Sequence, residues 1–318
     1  MKKHLYLSCI LCCMAMVFTA CSSDDDTNTN RSDSQNTNNA IGYELPAPKG
    51  GKSIIITHRG MLRDYNEQSK KLEPIQGVNY SVEWDTEKGA QRWSCYKLYT
   101  AINYSSKMNV PRYSAINDGS LSPSCQYPND PDLPAEYRFQ AGQDPYKSSG
   151  YDHGHICPSA DRQRAVEGNY QTFYITNMQP QYNKFNAGIW SDMELQVRNW
   201  TEKFDTLYVC KGGTIDNENN ILEYIFKNSH QNTRVNKNYI PVPRYFFMAI
   251  LGRKGNTFTA TGYWIDQSNY TNTTLKTYAV NIQQLEKETG IDFFHTLPDN
   301  IESQVENISY SQMIKDWY

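Results

Sequence analysis

Apolar and polar side chains alternate with a period of two in several short runs, and these runs are rich in Val, Tyr, Phe and Trp. Ser53–Thr57, Asn79–Asp85, Thr206–Lys211, Arg244–Leu251 and Thr257–Trp264 therefore predict strands. Two stretches change to a period near 3.6. Asn186–Phe204 gathers Ile189, Met193, Val197 and Trp200 on one helical face, and Val280–Glu288 forms a second helix with Gly290 as its cap. The Pro-, Asn-, Asp- and Gly-rich segments Ser122–Pro134 and Gln140–Gly150 predict long loops. Strands outnumber helices and do not alternate with them, so the expected class is α+β rather than a doubly wound parallel sheet. Nothing from residue 43 to 318 reads as a linker, which predicts one domain there.

The N-terminus follows a different logic. Met1–His4 is basic, Leu5–Phe18 is an apolar run, and small residues precede Cys21. This order predicts a secretory signal over residues 1–20. Thr19-Ala20-Cys21 resembles a bacterial lipobox, which implies lipidation of Cys21 and an exported lipoprotein at the outer membrane or cell surface of a Gram-negative bacterium. Residues 21–42 are Ser, Asp, Asn and Thr with little apolar content and predict a flexible tether.

Composition narrows the function classes. The chain has 318 residues, 13% of them aromatic, which is too rich for a disordered protein. A net charge of -3 excludes a globally basic nucleic-acid binder but leaves room for a local basic groove. No internal apolar run is long enough to span a bilayer as a helix. Of the 8 cysteines, Cys9, Cys12 and Cys13 leave with the signal and Cys21 is lipidated. Cys95, Cys125, Cys157 and Cys210 remain, and an even number in an exported chain predicts two disulfides with three pairings open.

The candidate chemistry is concentrated between residues 148 and 200. In Asp152-His153-Gly154-His155, residues i and i+2 of a strand share a face, so His153 and His155 project together. Both could bind zinc with a third ligand, or one could act as a general base beside a metal held by another group. On the following helix, Glu194 stands eight residues after Asn186, about 800° of rotation, and Arg198 is a further four on. An amide, a carboxylate and a guanidinium thus lie along one helix edge.

These residues resemble the DNA/RNA non-specific endonucleases, which belong to the ββα-metal (His-Me finger) nucleases. The family's Asp-Arg-Gly-His and Pro-Ser-x-Asp-Arg segments correspond to Asp152–His155 and Pro158–Arg162. Its Thr-Asn-Met-x-Pro-Gln corresponds to Thr176–Gln181, and its Asn, Trp, Glu and Arg to Asn186, Trp190, Glu194 and Arg198. Looser similarity at Asp130–Pro134, Gly212–Thr214, Val242–Phe247 and Thr289–Phe294 extends the match over residues 75 to 305.

The resemblance implies a central, mostly antiparallel sheet with a ββα-metal finger and flanking helices. It implies a magnesium-dependent endonuclease acting on DNA and RNA, with manganese and calcium as alternative ions. His155 becomes the general base and Asn186 the direct metal ligand. Glu194 holds metal-bound water, Arg198 pairs with phosphate or with Glu194, Asn177 holds the site through hydrogen bonds or binds substrate, and Arg162 binds substrate. Membrane contact is expected only through the lipid, and no protein partner is expected. In this fold the segment at Gly212–Thr214 runs near the active-site strand, which implies Cys157–Cys210 and leaves Cys95–Cys125.

Two positions depart from the family pattern. His153 stands where the family has an Arg, and Pro123 where it has a second, upstream Arg. Arg112, Arg138 or Arg162 could replace them in space. A missing electrostatic stabiliser costs about 10²–10³ in rate. The departure therefore leaves a second reading, a weakened or inactive nucleic-acid-binding lipoprotein on the same fold.

Overall fold

The computed structural model describes residues 42–66, 68–99, 110–120, 122–226, 239–270 and 274–318. The expected signal, Cys21 and the tether up to residue 41 lie outside the described residues. The strands are β1 Ser53–Asn66, β2 Lys71–Asp85, β3 Ala90–Leu98, β4 Asp152–His155, β5 Met178–Gln181, β6 Thr206–Gly213, β7 Ile221–Phe226, β8 Tyr239–Pro243, β9 Tyr245–Lys254, β10 Thr257–Asp266 and β11 Ala279–Val280. The helices of six or more residues are α1 Val166–Gln171, α2 Ser191–Trp200, α3 Ile282–Thr289, α4 Asp299–Glu306 and α5 Tyr310–Trp317.

Seven strands form one sheet in the order β1-β2-β3-β6-β9-β10-β11. Every pairing in it is antiparallel. The class is α+β, with few helices around this sheet. All five expected strands are present in it, and β3 and the two-residue β11 are additions to them. In β3, Gln91, Arg92 and Ser94 are buried polar residues that break the apolar alternation.

The period of two along the central strands separates two cores. Leu207, Val209, Phe246, Met248 and Ile250 face one side, where they meet Ile189, Met193, Val197 and Trp200 of the helical segment. Tyr208, Cys210, Phe247, Ala249 and Leu251 face the other side, where Ile282 and Leu285 of α3 cover them. Gly290 ends α3 in the left-handed conformation (φ 68°), as the cap position requires.

This division corrects the expected disulfides. Cys95, Cys125, Cys157 and Cys210 are all free thiols. Cys157 packs in the first core and Cys210 in the second, so the sheet stands between them. Cys95 instead lies directly opposite Cys210 in the β3–β6 register. Cys125 sits in the 3-10 turn Pro123–Gln126, away from that core.

Candidate active site

The site is a ββα unit built on the first-core side of the sheet. Strands β4 and β5 form a separate antiparallel hairpin with His153 opposite Pro180 and His155 opposite Met178. Gly154 lies between the two histidines because Gln181 presses on its backbone. A Cβ at Gly154 would fall 2.2 Å from Gln181 Cδ. The chain then runs through a helical turn, Asn183–Phe185, into a π-turn, Asn186–Trp190, and on into α2. The π-turn bends at Gly188 and was not legible from the 3.6-residue period. A wide turn of this kind shifts the azimuth of Asn186 relative to Glu194.

A cavity of about 440 Å³ opens above this unit. His153, His155, Asn186, Glu194 and Arg198 all line it, together with Arg112, Tyr127, Tyr151, Asp152 and Ser191. Five residues picked from the sequence therefore converge. Asn177 and Arg162 do not line the cavity. The Asn177 side chain is fully buried, donates to the carbonyls of Cys157 and Thr172 (both 2.8 Å), and accepts from Cys157 N (2.8 Å) and Ser94 Oγ (3.0 Å). It ties the loop after β4 to the sheet. The Arg162 guanidinium is spent on the carbonyls of Asn79, Asp161 and Lys97 and packs over Tyr96. Asn177 therefore holds the site through hydrogen bonds, and Arg162 braces main-chain carbonyls away from the cavity.

His155 is held by aromatic neighbours, edge-on to Phe173 at 4.8 Å between centroids. Its main-chain carbonyl accepts from Trp190 Nε1 (3.3 Å). Its Nε2 is shielded from bulk solvent and has no hydrogen-bond partner. Burial, then the charges of Arg112 and the neighbouring His153, push its pKa down to about 3. The imidazole is neutral at physiological pH, with a ring nitrogen free to accept a proton.

His153 has a different environment. Its Nε2 lies 2.8 Å from Asp144 Oδ1, and its ring is stacked between Tyr127 (3.7 Å) and Tyr146 (4.7 Å). Burial opposes ionisation of Asp144, but the His153 hydrogen bond and charge hold its carboxyl below the usual range. Among the described residues, neither His153 nor His155 belongs to a group of three His, Cys, Asp or Glu side chains close enough to share an ion. The two-histidine zinc arrangement thus lacks a third ligand of those types.

Asn186 Nδ2 donates to Asp152 Oδ2 (3.0 Å), as does Asn183 Nδ2 (3.0 Å). An ionised carboxylate only accepts, which fixes the amide orientation and leaves Asn186 Oδ1 as the available oxygen. A lone neutral oxygen at an open, polar cavity suits a hard cation that keeps much of its water. Glu194 accepts from Lys211 Nζ (2.7 Å), while Arg198 Nη1 donates to Asp161 Oδ1 (2.8 Å). Burial pushes the Glu194 carboxyl up, against the pull of Lys211. Arg198 thus pairs with Asp161, and the Glu194 charge also acts on it.

Sequence reasoning missed Lys211 and Asp161. Lys211 carried a signal, since a charged residue within the buried run Leu207-Tyr208-Val209-Cys210 requires a partner. Of the three arginines considered as replacements, Arg112 is the one at the cavity, with its guanidinium over Phe173 at 4.8 Å. Arg138 donates to the carbonyls of Leu133 and Pro131.

Residues 58–300 match the family described as DNA/RNA non-specific endonuclease. The chain belongs to that family. It is 27% identical over 247 residues to the mitochondrial nuclease EXOG of Xenopus laevis, covering 74% of this chain and 62% of that one. It is 32% identical over 187 residues to nuclease C1 of Cunninghamella echinulata var. echinulata, covering 57% and 70%. A nuclease of Nostoc sp. is 27% identical over 235 residues, covering 72% and 75%. The chain spans about three fifths of the Xenopus relative's length. Among solved structures, the EndoG/EndoGI complex has a similar fold, with a TM-score of 0.56, 22% identity and coverage of 70% of this chain and 85% of that one. Nucleases of this family depend on a divalent metal.

Proposed function

We propose that this member of the family hydrolyses phosphodiester bonds in DNA and RNA with His155 as general base. The observation that carries the reading is the unpartnered Nε2 of His155, a residue that lines one cavity with Asn186, Glu194 and two arginines. Water attacks phosphorus as Nε2 takes its proton, and the 3′ oxygen departs. A bound phosphodiester cancels part of the Arg112 charge that depresses the imidazole, so basicity rises when substrate is present. Arg112 and Arg198 meet the non-bridging oxygens. Arg112 supplies the cation that position 153 lacks, which favours an active enzyme over an inactive nucleic-acid binder. Asn186 Oδ1 would hold a hard divalent cation, magnesium before manganese or calcium, and Glu194 would orient its waters; such an ion supplies positive charge to the phosphate and the departing oxygen.

The test is degradation of plasmid DNA and of RNA in the presence of magnesium by the wild-type chain and by His155→Ala. Loss of a general base costs about 10²–10⁴ in rate. Undiminished cleavage by the variant would remove His155 from the mechanism. The N-terminal pattern supports export and lipidation at Cys21, so Cys21→Ser should abolish incorporation of labelled fatty acid.

A further inference from the structure

The cavity has an aromatic edge that the chemistry of the phosphate does not use. Tyr151 lines the cavity one residue before Asp152. Its ring lies 5.0 Å from that of Tyr182, with the two planes inclined at 36°. The Tyr151 hydroxyl is anchored on the Glu223 carboxylate of β7, and the Tyr182 hydroxyl stands 3.4 Å from it. The Tyr182 main-chain N–H donates to Gln267 Oε1 (2.9 Å). The pair is therefore fixed from below and at its rim.

Tyr182 is nevertheless 38% exposed. It directly precedes the helical turn whose Asn183 and Asn186 both bond Asp152, so it is built into the same frame as the candidate metal ligand. An exposed ring packed on Tyr151, at the edge of an arginine-bearing cavity of about 440 Å³, is placed to meet the base next to a phosphate bound there. Aromatic stacking is sequence-tolerant because every base presents a π-face. It also requires that base to leave its own stack, which single strands do at lower cost than duplexes.

We propose that Tyr151 and Tyr182 form a base-stacking subsite that receives the nucleobase flanking the scissile phosphate and favours single-stranded over duplex nucleic acid. This rests on the nuclease reading of the cavity. The subsite adds substrate affinity and leaves the chemical step alone, because the Tyr151 hydroxyl is committed to Glu223 and Tyr182 stands outside the cavity lining.

The experiment compares the wild-type chain, Tyr182→Ala and Tyr182→Phe on single-stranded oligonucleotides with normal or abasic nucleotides around one cleavable phosphodiester. Tyr182→Ala is expected to raise KM about tenfold on the normal strand with kcat little changed, as loss of one base stack implies. Tyr182→Phe should stay near wild type. On the abasic strand the wild-type KM should already be high, and Tyr182→Ala should add nothing. With the metal chelated, anisotropy titrations should give the same order in Kd, so the subsite is read even if cleavage itself fails. Equal losses on both strands, or no loss on either, would overturn the proposal.

Discussion

Lys211 Nζ lies 2.7 Å from Glu194 Oε1, and only 1% of the lysine side chain is exposed. The same ammonium stands 4.6 Å from the centre of the Trp190 ring. Lys211 enters the first core because it continues the Leu207, Val209 side of β6, which is the side covered by α2. A buried cation thus sits beneath the carboxylate that reaches the cavity. It leaves Arg198 to bond Asp161 and face the cavity. Lys211 thereby balances one of the two carboxylates, Asp152 and Glu194, that line the cavity.

Breaking this pair from one side should be costly. Lys211→Met leaves a buried carboxylate without its cation, and such a change destabilises by about 3–5 kcal/mol. Glu194→Gln alone strands the lysine instead. The double variant Lys211→Met/Glu194→Gln should lose less than the sum of the two, with a coupling of about 0.5–3 kcal/mol in denaturant titrations. Strict additivity would mean that the two charges do not interact.

The low pKa of His155 fixes a sign for the acid limb. Folded-state proton uptake falls from the ordinary 6.5 to about 3. The base therefore remains deprotonated through pH 5–6, and kcat/KM should show no drop there from His155 in the free protein. Stability responds as well. Above pH 6.5 the ring is neutral in both states, but between 6.5 and about 3 the unfolded chain binds a proton that the folded chain refuses. Stability attributable to this site is thus lost as pH falls through that window. Thermal melts of wild type and His155→Phe from pH 7 to 4 should converge toward acid, because the variant lacks this penalty.

Much of this site is legible in the sequence, and the parts that are not share a cause. His155, Asn186, Glu194 and Arg198 follow local spacing on one hairpin and one helix, and local spacing survives folding. Lys211 is tied to Glu194 from β6, a central strand beneath α2, and Arg112 reaches the cavity from a loop, so no local period reveals either. The strand β3 was hidden because Arg92 is buried in a network with Glu83, Asp85 and Asp216, which places charge where alternation expects an apolar residue. The disulfide expectation failed for a related reason. Which face of the sheet a cysteine occupies depends on register, and Cys157 and Cys210 fell on opposite faces.

The three buried thiols should be insensitive to mild redox conditions. Burial pushes the Cys157 thiol up to about 12, and raises Cys95 and Cys210 well above the ordinary range. Exchange requires thiolate, so these three are slow nucleophiles. Residues 43–318 should titrate as four free thiols after denaturation, with only Cys125 reacting quickly in the native state. Dithiothreitol should leave Tm unchanged. A large Tm drop on reduction would indicate a bridge, for which the opposed Cys95 and Cys210 are the geometric candidates.

The acidic cluster at the C-terminal end of the fold should make stability fall on the alkaline side. The carboxylates of Glu286 on α3, Glu306 on α4 and Asp292 between them lie within 4.8 Å of one another. Burial first, and then the neighbouring acids, raise Glu286 and Glu306 to about 7. A carboxyl with a folded-state pKa above its unfolded value of 4.5 binds a proton in the folded chain that the unfolded chain has already released. The resulting stability is fully present below pH 4.5 and is lost as pH rises through 7. Glu306→Gln keeps the shape and removes one of the mutually repelling charges. It should raise Tm at pH 8 and leave it nearly unchanged at pH 4.5, which melts at the two pH values measure directly. An equal shift at both would assign the effect to packing, and a lower Tm at pH 8 would show that the Glu306 charge is stabilising there.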